Sequence, residues 1–159
     1  RGVSARPPGP DPLPAAAAER AADPAAWMPT VAVVAFSGKA ELWWLRGLKP
    51  GFRHCLVALA QPGGGWVLLD PLAHATRVAH LPGLADPVGW FLDHGLLPVP
   101  VRPVPPMPRA APWAPFTCVE AVKRALGVRA RFVLTPWQLF RHLTRAEKKV
   151  LDRRPIIGL

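Results

Sequence analysis

The sequence predicts a single small α+β domain, in which an antiparallel sheet packs with helices. Three observations support this prediction. Short apolar runs rich in β-branched residues fill the first two thirds of the chain, a glycine-rich linker joins two of them, and helix-start patterns gather in the last third. A chain of 159 residues, half of them apolar, is long enough to bury a core of one domain.

The strands are predicted from these apolar runs. Residues 30–36 (TVAVVAF) form a buried strand that ends at Ser37-Gly38. Residues 54–60 (HCLVALA) and 66–70 (WVLLD) form two more strands, and the linker QPGGG between them is a strong hairpin signal. Two further strands are predicted at 76–80 and, because of its prolines, at the sheet edge over 97–104.

The helices are predicted from their start signals. Residues 86–94 form a short helix with Asp86 as the N-cap and Pro87 in the first turn. Residues 41–48 form either a strand or a short helix, with Trp43 and Trp44 covering the core. Three helices follow a proline-rich loop over 105–115, at 117–126, 135–143 and 145–153.

Residues 1–27 differ in composition from the rest of the chain. They are dominated by Pro, Ala, Gly, Arg and Asp and hold few side chains able to form a core. We interpret them as a flexible, disordered leader, or as upstream sequence translated ahead of Met28; a secretory signal is disfavoured because charge interrupts its alanine run. Residues 28–159 then form the domain, with a basic helical C-terminal region. No stretch reaches the roughly 18 apolar residues of a membrane span.

The net charge of +10 is concentrated near the C-terminus. From Glu120 onward, ten Lys or Arg stand against three acidic residues, which accounts for +7 of the total. The simplest interpretation is a solvated basic helix face. An anionic polymer, either a nucleic acid or an acidic wall or membrane surface, is the alternative partner. No nucleic-acid-binding motif accompanies the charge.

The cysteine and histidine content predicts neither a disulfide framework nor a metal or cofactor site. Two cysteines allow at most one disulfide, and there is no C-x-x-C motif. The five histidines are scattered, without the spacing of metal ligands.

Cys118 is the first candidate for chemistry. Thr117 followed by Glu120 is the pattern of a capping box, which starts a helix at Thr117 and places Cys118 at its first position. Backbone N–H groups and the helix dipole stabilise a thiolate there. Thr135 and Gln138 repeat the pattern without a cysteine, so the pattern by itself is structural; Cys118 in isolation is equally compatible with a buried structural thiol.

The predicted hairpin supplies a base. If its turn centres on Pro62, His54 faces Asp70; if the turn centres on Gly63, His54 faces Leu72 and Asp70 is its diagonal neighbour. In both registers His54 and Asp70 share one sheet face, with Cβ atoms roughly 5 or 7 Å apart. A carboxylate beside an imidazole orients it and makes it more basic.

Cys55 and His74 are not assigned to the predicted catalytic group. Cys55 points to the opposite face, with Val57 and Leu59, and is interpreted as a core thiol. His74 is the reserve candidate for orienting His54. A surface histidine at a strand start is the alternative for His54 itself.

Taken together, three segments resemble circularly permuted NlpC-type papain-like proteins, which include bacterial relatives of lecithin:retinol acyltransferase. The segments are VVAFSGKAELWWLRGLKPGFRHCLVAL (33–59), GWVLLDP (65–71) and FTCVEAVKRALG (116–127). The resemblance implies a permuted papain-like fold, with His54 as general base, Asp70 as the third polar residue and Cys118 as nucleophile. The chain departs from the pattern in having Cys55 beside the histidine and a proline-rich insert over 102–115.

Three classes of function follow as expectations. The first is a thiol hydrolase (a cysteine peptidase or amidase) that cuts amide or peptide bonds, for instance in cell-wall peptide. The second is a lipid acyltransferase or hydrolase on the same scaffold, favoured if Trp43, Trp44 and Trp113 line an apolar groove. The third is a non-enzymatic virion or interaction module. Since the resemblance extends to bacteriophage-encoded domains, a cytoplasmic or virion-associated protein is expected.

Overall fold

A computed structural model describes residues 29–39, 43–105 and 115–152 of the chain. The elements are β1 (Ala32–Ser37), a 3₁₀ helix (Trp43–Gly47), β2 (His54–Ala60), β3 (Trp66–Pro71), β4 (Thr76–Leu81), α1 (Pro87–Asp93), β5 (Leu97–Val101), α2 (Cys118–Ala125) and α3 (Pro136–Asp152). The predicted leader, most of the proline-rich loop and the last seven residues lie outside the described ranges.

The strands form one antiparallel five-stranded sheet in the order β4-β3-β2-β1-β5. The predicted α+β class is therefore confirmed. Strand β5, with its two prolines, lies at one edge as predicted. Every residue of β1 is buried, because β1 pairs on both sides and is covered on both faces.

Two apolar clusters cover the two faces of the sheet. On one face, alternate residues of β1 and β2 pack against helices α2 and α3. This cluster includes Val34, Phe36, Cys55, Val57, Val122 and Leu139. On the other face, the intervening residues pack against α1, mainly through Phe91, which is fully buried. The period-2 alternation of a strand therefore separates Cys55 from its neighbours in sequence.

The β2–β3 hairpin has the second of the two predicted registers. Val57 pairs with Leu69 and Ala60 with Trp66, so the turn centres on Gly63. Gly64 and Gly65 both have positive φ angles, which glycine adopts without the steric cost of a side chain. Continuing this register places Leu72 opposite His54, and Asp70 diagonal to it.

The helices differ from the sequence prediction in one way. Helix α1 begins as predicted, since Asp86 accepts hydrogen bonds from the N–H groups of Val88 and Gly89. Residues 135–143 and 145–153, predicted as separate helices, belong instead to the one helix α3. Thr144 does not interrupt it, because its hydroxyl donates to the carbonyl of Phe140 at 2.9 Å and stays within the helix.

Helix α2 is fixed at its C-terminal end by the strand segment that leaves β5. The N–H of Val104 donates to the carbonyl of Leu126 at 2.8 Å. Gly127 follows with φ +69°, and a side chain there would collide with the carbonyl of Val104. This close contact sets the position of α2 against the sheet, and thereby the position of its first residue, Cys118.

Candidate active site

His54 and Asp70 form an ion pair across the hairpin. His54 opens β2 and Asp70 lies near the end of β3, and the Nε2 atom of His54 is 2.7 Å from Oδ1 of Asp70. Both side chains are about one-fifth exposed. Because Asp70 occupies Nε2, the other ring nitrogen, Nδ1, is left for a reacting partner. The predicted orientation of His54 by Asp70 is thus present in the structure.

Cys118 is the first residue of α2. Thr117 caps the helix, with its Oγ1 accepting from the N–H of Glu120 at 3.2 Å. The predicted helix start is therefore correct, but the reciprocal half of the capping box is absent. Instead, the carboxylate of Glu120 accepts from Arg124 at 2.9 Å and pairs with Lys123 at 2.8 Å.

Cys118 and His54 line the same cavity, and their side chains interact. Cys118 also packs against the apolar cluster that contains Cys55 and interacts with the side chain and backbone of that residue. The structure therefore brings together the three residues that the sequence analysis selected, Cys118, His54 and Asp70.

The contacts shift both pKa values toward an ion pair. The hydrogen bond from Cys55 lowers the pKa of Cys118; burial opposes it, the bond with His54 adds to it, and the result is a pKa of about 5. Burial by itself would lower the pKa of His54, but hydrogen bonds to Cys118 and Asp70 outweigh it and raise the pKa above 6.5. Between these two values the pair is a thiolate and an imidazolium.

Cys55 was predicted as a core thiol, and it is fully buried within the α2–α3 cluster. Its contact with Cys118 was not predicted. The hydrogen bond to Cys118, together with burial, raises the pKa of Cys55 well above its ordinary value, so Cys55 keeps its proton. The presence of a cysteine beside the histidine, which departs from the family pattern, was the one available signal for this contact.

A cavity of about 420 Å³ opens beside Cys118 and His54. Its walls are mainly apolar. They include Leu45, Leu48, Pro71, Leu72, Phe116 and Leu134. Phe116 is 70% exposed at the margin of this cavity, directly before the capped helix start. A substrate group bound against these walls would lie next to the thiol.

Two basic side chains hold the walls in place. Arg53 lines the cavity, and its guanidinium donates to the carbonyls of Gly38 and Arg46, which joins the 3₁₀ segment to the end of β1. On the other side, the buried ammonium of Lys123 donates to the carbonyl of Val133, beside the wall residue Leu134.

Of the three tryptophans named in the acyltransferase expectation, the structure describes only the side chain of Trp43, which does not line the cavity. Trp43 is 81% exposed, so the prediction that it covers core is wrong. Leu45 of the 3₁₀ helix and Leu48, directly after it, line the cavity instead. The side chain of Trp44 and all of Trp113 lie outside the described residues.

Other kinds of site are not found in the part of the chain that the structure describes. Within residues 29–39, 43–105 and 115–152, no three His, Cys, Asp or Glu side chains are grouped so as to hold a metal ion. None of the described helices combines the length and apolarity needed to cross a membrane. The partner that orients His54 is Asp70 rather than the reserve candidate, His74.

Comparisons with known proteins gave no match: no family model, curated protein or solved structure matches this chain. The resemblance to permuted NlpC-type proteins therefore stays a prediction from the quoted segments.

Proposed function

We propose that the protein is a cysteine-dependent hydrolase that cuts amide or peptide bonds through an acyl-enzyme formed on Cys118. The observation that carries this proposal is the contact of a thiol at a helix start with a carboxylate-paired histidine, beside a cavity. A thiolate of low pKa next to an imidazolium is the arrangement that covalent acyl transfer requires.

The first half of the reaction forms the acyl-enzyme. The thiolate of Cys118 attacks the substrate carbonyl, and the negative charge passes to the carbonyl oxygen. The N–H of Cys118, at the start of α2, donates to this oxyanion and stabilises it. His54 then donates its proton to the leaving amine as the carbon–nitrogen bond breaks, and Asp70 keeps the ring oriented.

The second half releases the product. The now neutral His54 accepts a proton from water, and the resulting hydroxide attacks the thioester. The carbon–sulfur bond breaks, the acid product leaves, and Cys118 returns to a thiolate beside a protonated His54.

The apolar cavity wall favours a second candidate, the transfer or hydrolysis of a lipid acyl group by the same residues. An acyl chain would lie against Leu45, Leu48 and Leu134 and bury its surface there, at roughly 0.8 kcal/mol for each CH₂ group. The chemistry at Cys118 is unchanged; the candidates differ in which part of the substrate fills the cavity.

The test is to incubate the protein with p-nitrophenyl esters of increasing chain length and with peptide p-nitroanilides, and to measure intact mass and p-nitrophenol or p-nitroaniline release. We expect a covalent acyl adduct on Cys118 that is absent in Cys118→Ser. Turnover of anilides supports the amide hydrolase, whereas a rate that rises with ester chain length supports the lipid candidate. Full activity in Cys118→Ser would refute both.

A further inference from the structure

Cys55 and Cys118 meet because of how two elements dock. Cys55 is the second residue of β2 and points toward the cluster under α2 and α3, with none of its surface exposed. Helix α2 packs on β2, and Cys118 packs against that same cluster. The inner side of Cys118 therefore packs against the cluster that holds Cys55, while His54 lies on the cavity side.

The roles within this sulfur pair are fixed by burial. A thiolate at Cys55 would be enclosed among apolar side chains such as Phe36 and Val57, which disfavours charge. Cys118 has a helix start, an imidazolium and a cavity beside it, all of which favour charge. Cys55 is consequently the donor and Cys118 the acceptor.

We propose that Cys55 is a positioning residue of the active site: its S–H group donates a hydrogen bond to the sulfur of Cys118 and holds that sulfur as a thiolate facing His54. The inference rests on the proposed function in so far as the thiolate is the nucleophile. A buried cysteine with a purely structural role would only fill space. Loss of its S–H group would then leave the ionisation of Cys118 unchanged, whereas loss of a positioning S–H group would make the thiolate of Cys118 less stable.

Other charged groups also lie near Cys118. His54 contacts it from β2, and Asp70 acts on it through His54 from β3. Arg53 lines the same cavity; its two terminal nitrogens donate to two backbone carbonyls, and its buried Nε has no hydrogen-bond partner among the described residues. On α2 itself, the charge of Glu120 is matched by Lys123 and Arg124. From α3, the cavity receives Pro136, which has no charge.

The experiment measures the rate of Cys118 alkylation by iodoacetamide from pH 4 to pH 10 after full reduction, with the site identified by peptide mass. Cys55→Ala and Cys55→Val both remove the donor, and Cys55→Val keeps most of the core volume. Cys55→Ser keeps a donor. Val57→Ala is the matched control, because it removes volume from the same cluster on the same strand.

The parent should react with an inflection near pH 5, since the thiolate is lost below the pKa of about 5. In Cys55→Ala and Cys55→Val the inflection should move to higher pH. The rate at pH 4 should then fall roughly tenfold for each pH unit by which the inflection moves, while the rate at pH 9 stays unchanged. Cys55→Ser should restore most of the acid reactivity, and Val57→Ala should leave the inflection in place.

An unmoved inflection in both donor-free variants, or equal displacements in Cys55→Ser and Cys55→Val, would overturn the proposal. The two Cys55 variants without a donor cover the case in which one fails to fold. Alkylation needs no substrate, so displaced inflections without any acyl-enzyme would refute the proposed function alone. Acyl-enzyme formation with unmoved inflections would refute the role of Cys55 alone.

Discussion

Helices α2 and α3 begin with the same sequence pattern, but only the start of α2 carries the cysteine of the candidate site. Each has a threonine N-cap whose Oγ1 accepts from the N–H three residues on, at 3.2 Å from Glu120 and 3.3 Å from Gln138. Both threonines line the same cavity. At α3 the box is closed, because Oε1 of Gln138 accepts from the N–H groups of Thr135 and Leu134.

At α2 the corresponding carboxylate turns away. Glu120 binds Lys123 and Arg124 instead of returning to Thr117. A carboxylate folded back onto the helix start would place a negative charge beside the thiol and oppose its ionisation. In addition, Cys118 has a backbone N–H where α3 has Pro136, which has none. Two features therefore distinguish the start of α2: the third residue, Glu120, binds basic side chains, and the first residue, Cys118, has a backbone N–H group.

The largest expected effect concerns the start of α2, where His54 faces Cys118. His54→Ala removes the proton donor for the leaving group, and we expect acyl-enzyme turnover to fall by about 10²- to 10⁴-fold. His80→Ala, an exposed histidine on β4, is the matched control and should leave turnover unchanged. Steady-state release of p-nitroaniline measures both. Comparable losses in the two variants would indicate that His54 has no special role.

Exchanging the side-chain types of Glu120 and Gln138 tests the third residue of each helix. Glu120→Gln leaves the buried Lys123 without its carboxylate, and we expect a loss of about 3 kcal/mol in the free energy of unfolding. Gln138→Glu, at an exposed position, should change it by less than about 1 kcal/mol. Urea unfolding followed by circular dichroism gives both values. Equal effects would mean that the ion pair of Glu120 is not what distinguishes the two helix starts.

The smallest effect concerns the caps themselves. Thr117→Val and Thr135→Val each remove one cap hydrogen bond and should each cost about 1 kcal/mol of stability. Their effects on the thiol should differ, because the first turn of α2 alone carries Cys118. Alkylation at pH 5 should slow in Thr117→Val and stay at the parent rate in Thr135→Val. A matched slowing in both would tie reactivity to global stability instead.

Much of the sheet could be predicted because its signals are local. The β-branched run of β1 and the glycines between β2 and β3 determine strand and turn within a few residues. The alternation of strand side chains then placed His54 and Asp70 on one face in either register, so the ion pair did not depend on which register formed.

The errors arise where the outcome depends on packing between distant elements. Trp43 is exposed because the 3₁₀ helix turns Leu45 toward the cavity, an orientation that no periodicity in the sequence specifies. The contact between Cys55 and Cys118 depends on which sheet face α2 covers. Alternation assigned Cys55 to the core face, but the docking of α2 on that face is a tertiary property.

The order of the site residues along the chain has a consequence for folding. The ion pair between His54 and Asp70 closes a loop within one hairpin, with the two residues 16 apart. Cys118 joins them across a far longer loop, whose closure costs more entropy and is expected to come later. Since the contacts that acidify Cys118 come from β2, the chain carries an ordinary thiol while it folds. The reactive sulfur is therefore produced by a long-range contact that follows formation of the hairpin, and its chemistry is coupled to the fold.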